Sequence, residues 1–111
     1  MSVFFLQDQT PWTELGDGIR RKIIATTNEM MVVYVHFDKG AVGTPHTHEI
    51  HDQVGYVAAG SFEAMIDGEK KVLQVGDAYI ARKLVEHGAV ALEQDSVLID
   101  IFNPPREDFL S

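Results

Sequence analysis

Gly40-Ala-Val-Gly-Thr-Pro-His46-Thr-His48-Glu-Ile-His51-Asp-Gln53-Val-Gly-Tyr-Val-Ala-Ala-Gly60 is the stretch that decides how this chain is read. His46 and His48 are two positions apart. On an extended strand that spacing sets both imidazoles on one face, roughly 6.5 Å apart along the chain. Two such rings can share an ion, and Gln53 and His87, from neighbouring strands, would complete a set of four donors. Neutral imidazole offers a lone pair without a charge, which suits first-row divalent metals. Gln53 adds a neutral carbonyl oxygen. An ion held by four neutral donors keeps its whole double charge, acts as a strong Lewis acid and attracts anions. An octahedral ion so held has two positions left for substrate or water. The competing reading is a set of unrelated surface histidines, the standing risk of short motifs.

Outward from that stretch the pattern is short strands punctuated by turns. Ile19 to Thr27 and Met30 to Asp38 are rich in branched and aromatic residues, with Asn28-Glu29 between them as a turn. Val54 to Ala59 ends at Gly60. Phe62 to Ile66 and Lys71 to Val75 flank Asp67-Gly68, a hairpin signal because a type I′ turn needs positive φ at both positions. Ala78 to Arg82, Gly88 to Leu92 and Ser96 to Phe102 follow. Pro104-Pro105 ends the last strand, since proline cannot donate to a ladder. A short turn around Glu107 to Leu110 is expected. Many short strands at close spacing predict an all-β sandwich or barrel.

Val97-Leu-Ile-Asp-Ile-Phe102 is apolar on both faces except at Asp100, as in a strand covered on both sides, by the core and by a second subunit. Val3-Phe-Phe-Leu6 reads as a second sticky edge, and such edges pair, so a homodimer is expected. A carboxylate inside an apolar strand costs several kcal/mol unless it is paired, ligated or protonated. Asp100 is therefore a candidate general acid or base, the alternative being a buried ion pair with an arginine. Alternation puts Leu98, Asp100 and Phe102 on one face, so Phe102 shares whatever cavity Asp100 faces. Arg106 follows the double proline and reads as a surface residue; the alternative is that it folds back over a cavity mouth, where its fork suits a carboxylate. Arg20, Arg21, Arg82 and Lys83 are further cations that the sequence does not rank. His51 reads as a partly exposed strand-end histidine, His36 as a core or interface one, and Glu49 and Asp52 as solvated turn carboxylates.

The chain has 111 residues, enough for one domain over 1–111 and too few for two. Apolar residues make up 45%, enough for a core, and there is no cysteine, so neither disulfides nor thiolate zinc sites enter. Nine Lys and Arg against seventeen Asp and Glu leave a net charge of −8. That balance argues against nucleic acid and anionic membrane as partners. An anionic ligand must then be held by a few local cations or a metal. The amino terminus has no basic region and no stretch is long enough to span a bilayer, so a soluble cytoplasmic protein is expected.

Gly40, five residues, His46, one, His48, four, Gln53, six, Gly60 resembles the first motif of the cupins, with glutamine in place of the usual glutamate. Gly76, ten residues and His87 resemble the second. The fifteen residues between Gly60 and Gly76 match the usual gap, although Arg82, Leu84 and Ala91 stand where the second motif has proline, glycine and asparagine. With the tail Asp100-Ile-Phe-Asn-Pro-Pro-Arg-Glu-Asp-Phe-Leu110, the chain resembles, over essentially its whole length, the small cupins of pectin degradation of the KdgF type. That resemblance implies a single-domain jelly-roll barrel and one divalent ion per chain (Ni, Fe, Mn, Co or Zn) on His46, His48, Gln53 and His87. It also implies a homodimer, with Asp100, Phe102 and Arg106 at active-site positions. The implied reaction opens and ketonises 4,5-unsaturated monouronates from pectin or alginate to linear 5-keto-4-deoxyuronate. Two rival readings keep the same barrel. One is a dioxygenase with iron on the three histidines and Gln53, and the other a sugar-acid-binding cupin without chemistry.

Overall fold

The computed structural model describes residues 3–110. Ten strands form two facing sheets. They are β1 (Thr13–Gly16), β2 (Ile19–Thr26), β3 (Met31–Phe37), β4 (Val42–His46), β5 (Asp52–Ala59), β6 (Ser61–Ile66), β7 (Glu69–Gln74), β8 (Ala78–Ala81), β9 (His87–Ala91) and β10 (Ser96–Asn103). One sheet runs β1-β2-β3-β10-β5-β8 and the other β4-β9-β6-β7, with all neighbours antiparallel. This is the expected all-β jelly roll.

The core follows from period-two alternation. Met31, Val33, Val35 and Phe37 of β3 point inward and are buried, as are Val57 of β5, Phe62 of β6, and Leu98 and Phe102 of β10. Phe37 and Phe62 meet edge to face across the two sheets, with ring centroids 5.0 Å apart. Asp67 and Gly68 both have positive φ, 52° and 80°, and the hairpin they close pairs Ile66 with Glu69. A short 3-10 turn, Glu107–Phe109, lies in the expected carboxy-terminal position.

β10 is flanked by β3 and β5, and this sets the site. Asp100 lies opposite Val33 on one side and Gly55 on the other, while Phe102 lies opposite Met31 and Gln53. On the outer face of β3, Trp12 packs against Tyr34 and His36. His36 is 8% exposed and bonds Asp95 through Nε2 at 2.8 Å, a buried histidine apart from the sheet that carries His46 and His87.

One expectation is corrected, and one strand is added. Residues 3–6 are not a strand, and Val3, Phe4 and Leu6 are exposed. β1, all four of whose residues are exposed, had no apolar alternation to announce it. Among the described residues no helix is long and apolar enough to cross a membrane.

Candidate metal centre and active site

His46 ends β4 and lies directly opposite His87, the first residue of β9. The two strands approach closely because position 88 is glycine. A Cβ there would stand 2.8 Å from the Gly43 carbonyl oxygen and about 3 Å from Pro45. Gln53 projects inward from β5, beside Phe102. His48 does not lie on a strand with His46, as the two-residue spacing predicted. It sits in the irregular connection between β4 and β5, two residues beyond the last pair of β4 at His46. The connection nonetheless turns its ring onto the others, with centroids 4.7 Å from His46 and 5.1 Å from His87.

Four atoms converge. Nε2 of His46 and of His48 are 3.2 Å apart. Gln53 Oε1 lies 3.1 Å from His48 Nε2 and 3.0 Å from His87 Nε2. The ligand atoms of the three histidines all fall within 4.8 Å of one another. Backbone carbonyls determine what these atoms are. His46 donates from Nδ1 to the Thr44 carbonyl at 2.8 Å, and His87 from Nδ1 to the Val85 carbonyl at 3.1 Å. Each neutral ring therefore carries its lone pair on Nε2. Burial holds the His48 imidazole down to about 4, helped by the charge of Arg106 and by His46 and His87, and burial also lowers His87. Both are neutral at pH 7.

This donor set suits a cation. His46 Nε2, His87 Nε2 and Gln53 Oε1 are all acceptors, and lone pairs 3.0 Å apart repel unless positive charge lies between them. Ligands at right angles on an ion with bonds of about 2.1 Å stand about 3.0 Å apart, which is the spacing found. The three histidines could hold a metal ion, and Gln53 adds a fourth donor atom at the same spacing.

Asp100 faces this cluster. Its Oδ1 is shut off from solvent and has no hydrogen-bond partner. Burial pushes the carboxyl up to about 7, opposed by the hydrogen bond from the Gln53 amide and by the charge of Arg106. The buried ion pair weighed from sequence is not formed, because Arg106 forks onto Asp108 instead, at 3.0 and 2.8 Å. The guanidinium of Arg106 lies over the rings of Phe109 and Phe102, at 4.3 and 5.2 Å, so the tail does fold back over the site. Phe102 is a wall of the site and a core residue at once, 2% exposed and edge-on to His48, His51 and Phe109.

His51 is closer to the site than its sequence position suggested. Its Nε2 lies 3.1 Å from the Pro105 carbonyl oxygen and its ring 5.6 Å from His48. Of the unranked cations, Arg21 reaches the rim by resting on Phe109 at 3.6 Å, whereas Arg20 lies over Trp12 and Arg82 and Lys83 are exposed. Asp52 accepts a hydrogen bond from the Lys83 amide, and Glu49 is exposed. Sequence reasoning passed over Tyr79, whose hydroxyl lies 3.3 Å from the Gln53 amide nitrogen. A lone inward tyrosine on a short edge strand carries no motif.

The sequence profile of the cupin domain matches residues 33–102. A pectin degradation protein KdgF from Dickeya dadantii is 62% identical over 110 residues, covering 99% of this chain and all of that one. The structure of KdgF from Halomonas sp. superposes with a TM-score of 0.95 at 51% identity, over 98% of this chain and 99% of that one. An RmlC-like cupin from Shewanella frigidimarina gives 0.92 at 41% identity, over 98% and 96%.

Proposed function

This chain belongs to the cupin family and, within it, to the KdgF proteins, and from that premise we propose that it is a metal-dependent enzyme that ketonises 4,5-unsaturated monouronates from pectin or alginate. The product is the linear 5-keto-4-deoxyuronate. One observation carries the reading. A cluster of neutral acceptor atoms, suited to a cation, adjoins a buried carboxyl whose Oδ1 has no partner. His46, His48, Gln53 and His87 are the ligands, in one cupin domain acting in the cytoplasm. The exposed apolar side chains of Val3, Phe4 and Leu6 support a homodimer.

The substrate ring is both a hemiacetal and a cyclic enol ether. Asp100 accepts the anomeric hydroxyl proton as the bond from C1 to the ring oxygen breaks, leaving an aldehyde at C1 and an enolate at C5. It then returns a proton to C4, and C5 becomes a ketone. The proton count is unchanged, so the reaction is an isomerisation. A divalent ion held by His46, His48, Gln53 and His87 would supply Lewis acidity there. Arg106 turns its guanidinium to the substrate carboxylate, stiffened by the faces of Phe102 and Phe109. Phe102, edge-on to His48 and beneath Arg106, is the aromatic residue placed beside the substrate.

The test is loss of the ultraviolet band of the conjugated double bond when metal-loaded protein meets an unsaturated uronate. Decay well above the protein-free rate is expected, with Asp100→Asn slower by about a hundredfold or more. Decay no faster than the blank overturns the reading, as does full activity in Asp100→Asn with intact fold and metal. Turnover that consumes oxygen would point to the dioxygenase, and calorimetric binding without product to a sensor.

A further inference from the structure

An amide side chain has two ends of nearly the same shape and opposite chemistry, an acceptor oxygen and a donor nitrogen. Only the oxygen can ligate an ion. In the metal-free site this is a problem, because His87 Nε2 presents a lone pair that would draw the donor end of Gln53 toward it. Something must hold the amide the other way round. Gln53 Nε2 donates to the hydroxyl oxygen of Tyr79 at 3.3 Å. With that acceptor on the nitrogen side, Oε1 is turned to the histidine nitrogens.

Tyr79 can reach that position because of its neighbour. Asp100 of β10, Gly55 of β5 and Tyr79 of β8 form one cross-strand row. Gly55 has no positive φ, so no turn demands glycine there. A Cβ at position 55 would stand 2.4, 2.5 and 2.8 Å from Cε2, Cζ and Oη of Tyr79. The phenol lies over the glycine, in the place of the missing side chain, on its way to Gln53.

We infer that Tyr79 is a positioning residue for the metal centre, its phenol oxygen orienting the Gln53 amide so that oxygen faces the ion, with Gly55 making the room. The inference rests on the metal-centre reading above. It explains how a glutamine, rather than a symmetric carboxylate, can serve as a ligand.

Tyr79→Phe keeps the ring and removes the acceptor. Metal-free wild type and variant are titrated with cobalt(II) against a chromophoric chelator, and their visible spectra are compared at saturation. The variant is expected to bind about 10–100-fold more weakly. Its cobalt spectrum should approach that of Gln53→Ala while its metal-free melting temperature stays near that of wild type. Gly55→Ala, which displaces the ring and keeps the hydroxyl, is expected to give the same spectral change. Wild-type affinity and spectrum in Tyr79→Phe overturn the inference and leave the metal centre standing. Failure of the wild type itself to bind cobalt overturns the metal centre, and the inference with it.

Discussion

Asp100→Asn is expected to inactivate the protein and, without metal, to stabilise it at alkaline pH. The folded carboxyl is raised from 3.8 to about 7, chiefly by burial, and Oδ1 has no partner. A folded pKa above the unfolded one means that the native state holds its proton more tightly. Stability from this group is therefore complete below about pH 4, falls as pH rises toward 7, and levels off above it. The rise is worth about 4 kcal/mol over the full range and about 2.5 kcal/mol between pH 5 and pH 8, at 1.36 kcal/mol per unit. Asparagine cannot ionise and is free of this loss. Urea denaturation of wild type and variant, with chelator present at both pH values, gives two stability differences in which the other titrating groups cancel. The variant's standing relative to wild type should improve by about 2.5 kcal/mol from pH 5 to pH 8. Saturating divalent ion should shrink that gain, because a nearby cation favours the charged carboxyl. A stability difference that does not change with pH refutes the reasoning, since Asp100 would then be no more buried in effect than a surface aspartate.

Arg106→Lys keeps the charge and loses both the fork and the flat stack on Phe102 and Phe109. We expect KM for the uronate to rise about tenfold with the metal-free fold unchanged, measured by the ultraviolet assay and circular dichroism. An unaltered KM would remove Arg106 from substrate binding. Phe62→Ala opens a cavity beneath Phe37 at a fully buried position. A loss of about 3–5 kcal/mol in urea denaturation is expected, and less than 1 kcal/mol would contradict the packing described.

Much of the fold was legible because it rests on local chemistry. Asp-Gly at 67–68 reads as a type I′ turn from backbone sterics alone, and the buried row of β3 follows from simple alternation. The grouping of His46, His48 and His87 was legible for a related reason, since imidazoles in a spaced motif have few other uses. The strand edges were less so. Residues 3–6 look like a strand by composition but are not one, and β1 forms with every residue exposed because β2 supplies its partner.

By itself the sequence pointed to an all-β sandwich or barrel, to His46, His48, Gln53 and His87 as candidate donors of one site, and to Asp100 as out of place in its strand. These follow from residue type, spacing and alternation, which act over a few residues. Only the tertiary structure decided that His48 reaches the cluster from a loop and that Arg106 pairs with Asp108 rather than with Asp100. The same holds for the row of Asp100, Gly55 and Tyr79 behind Gln53. Those contacts join β10, β5 and β8, strands far apart in the chain, and no local rule of side-chain chemistry encodes which strand lies beside which.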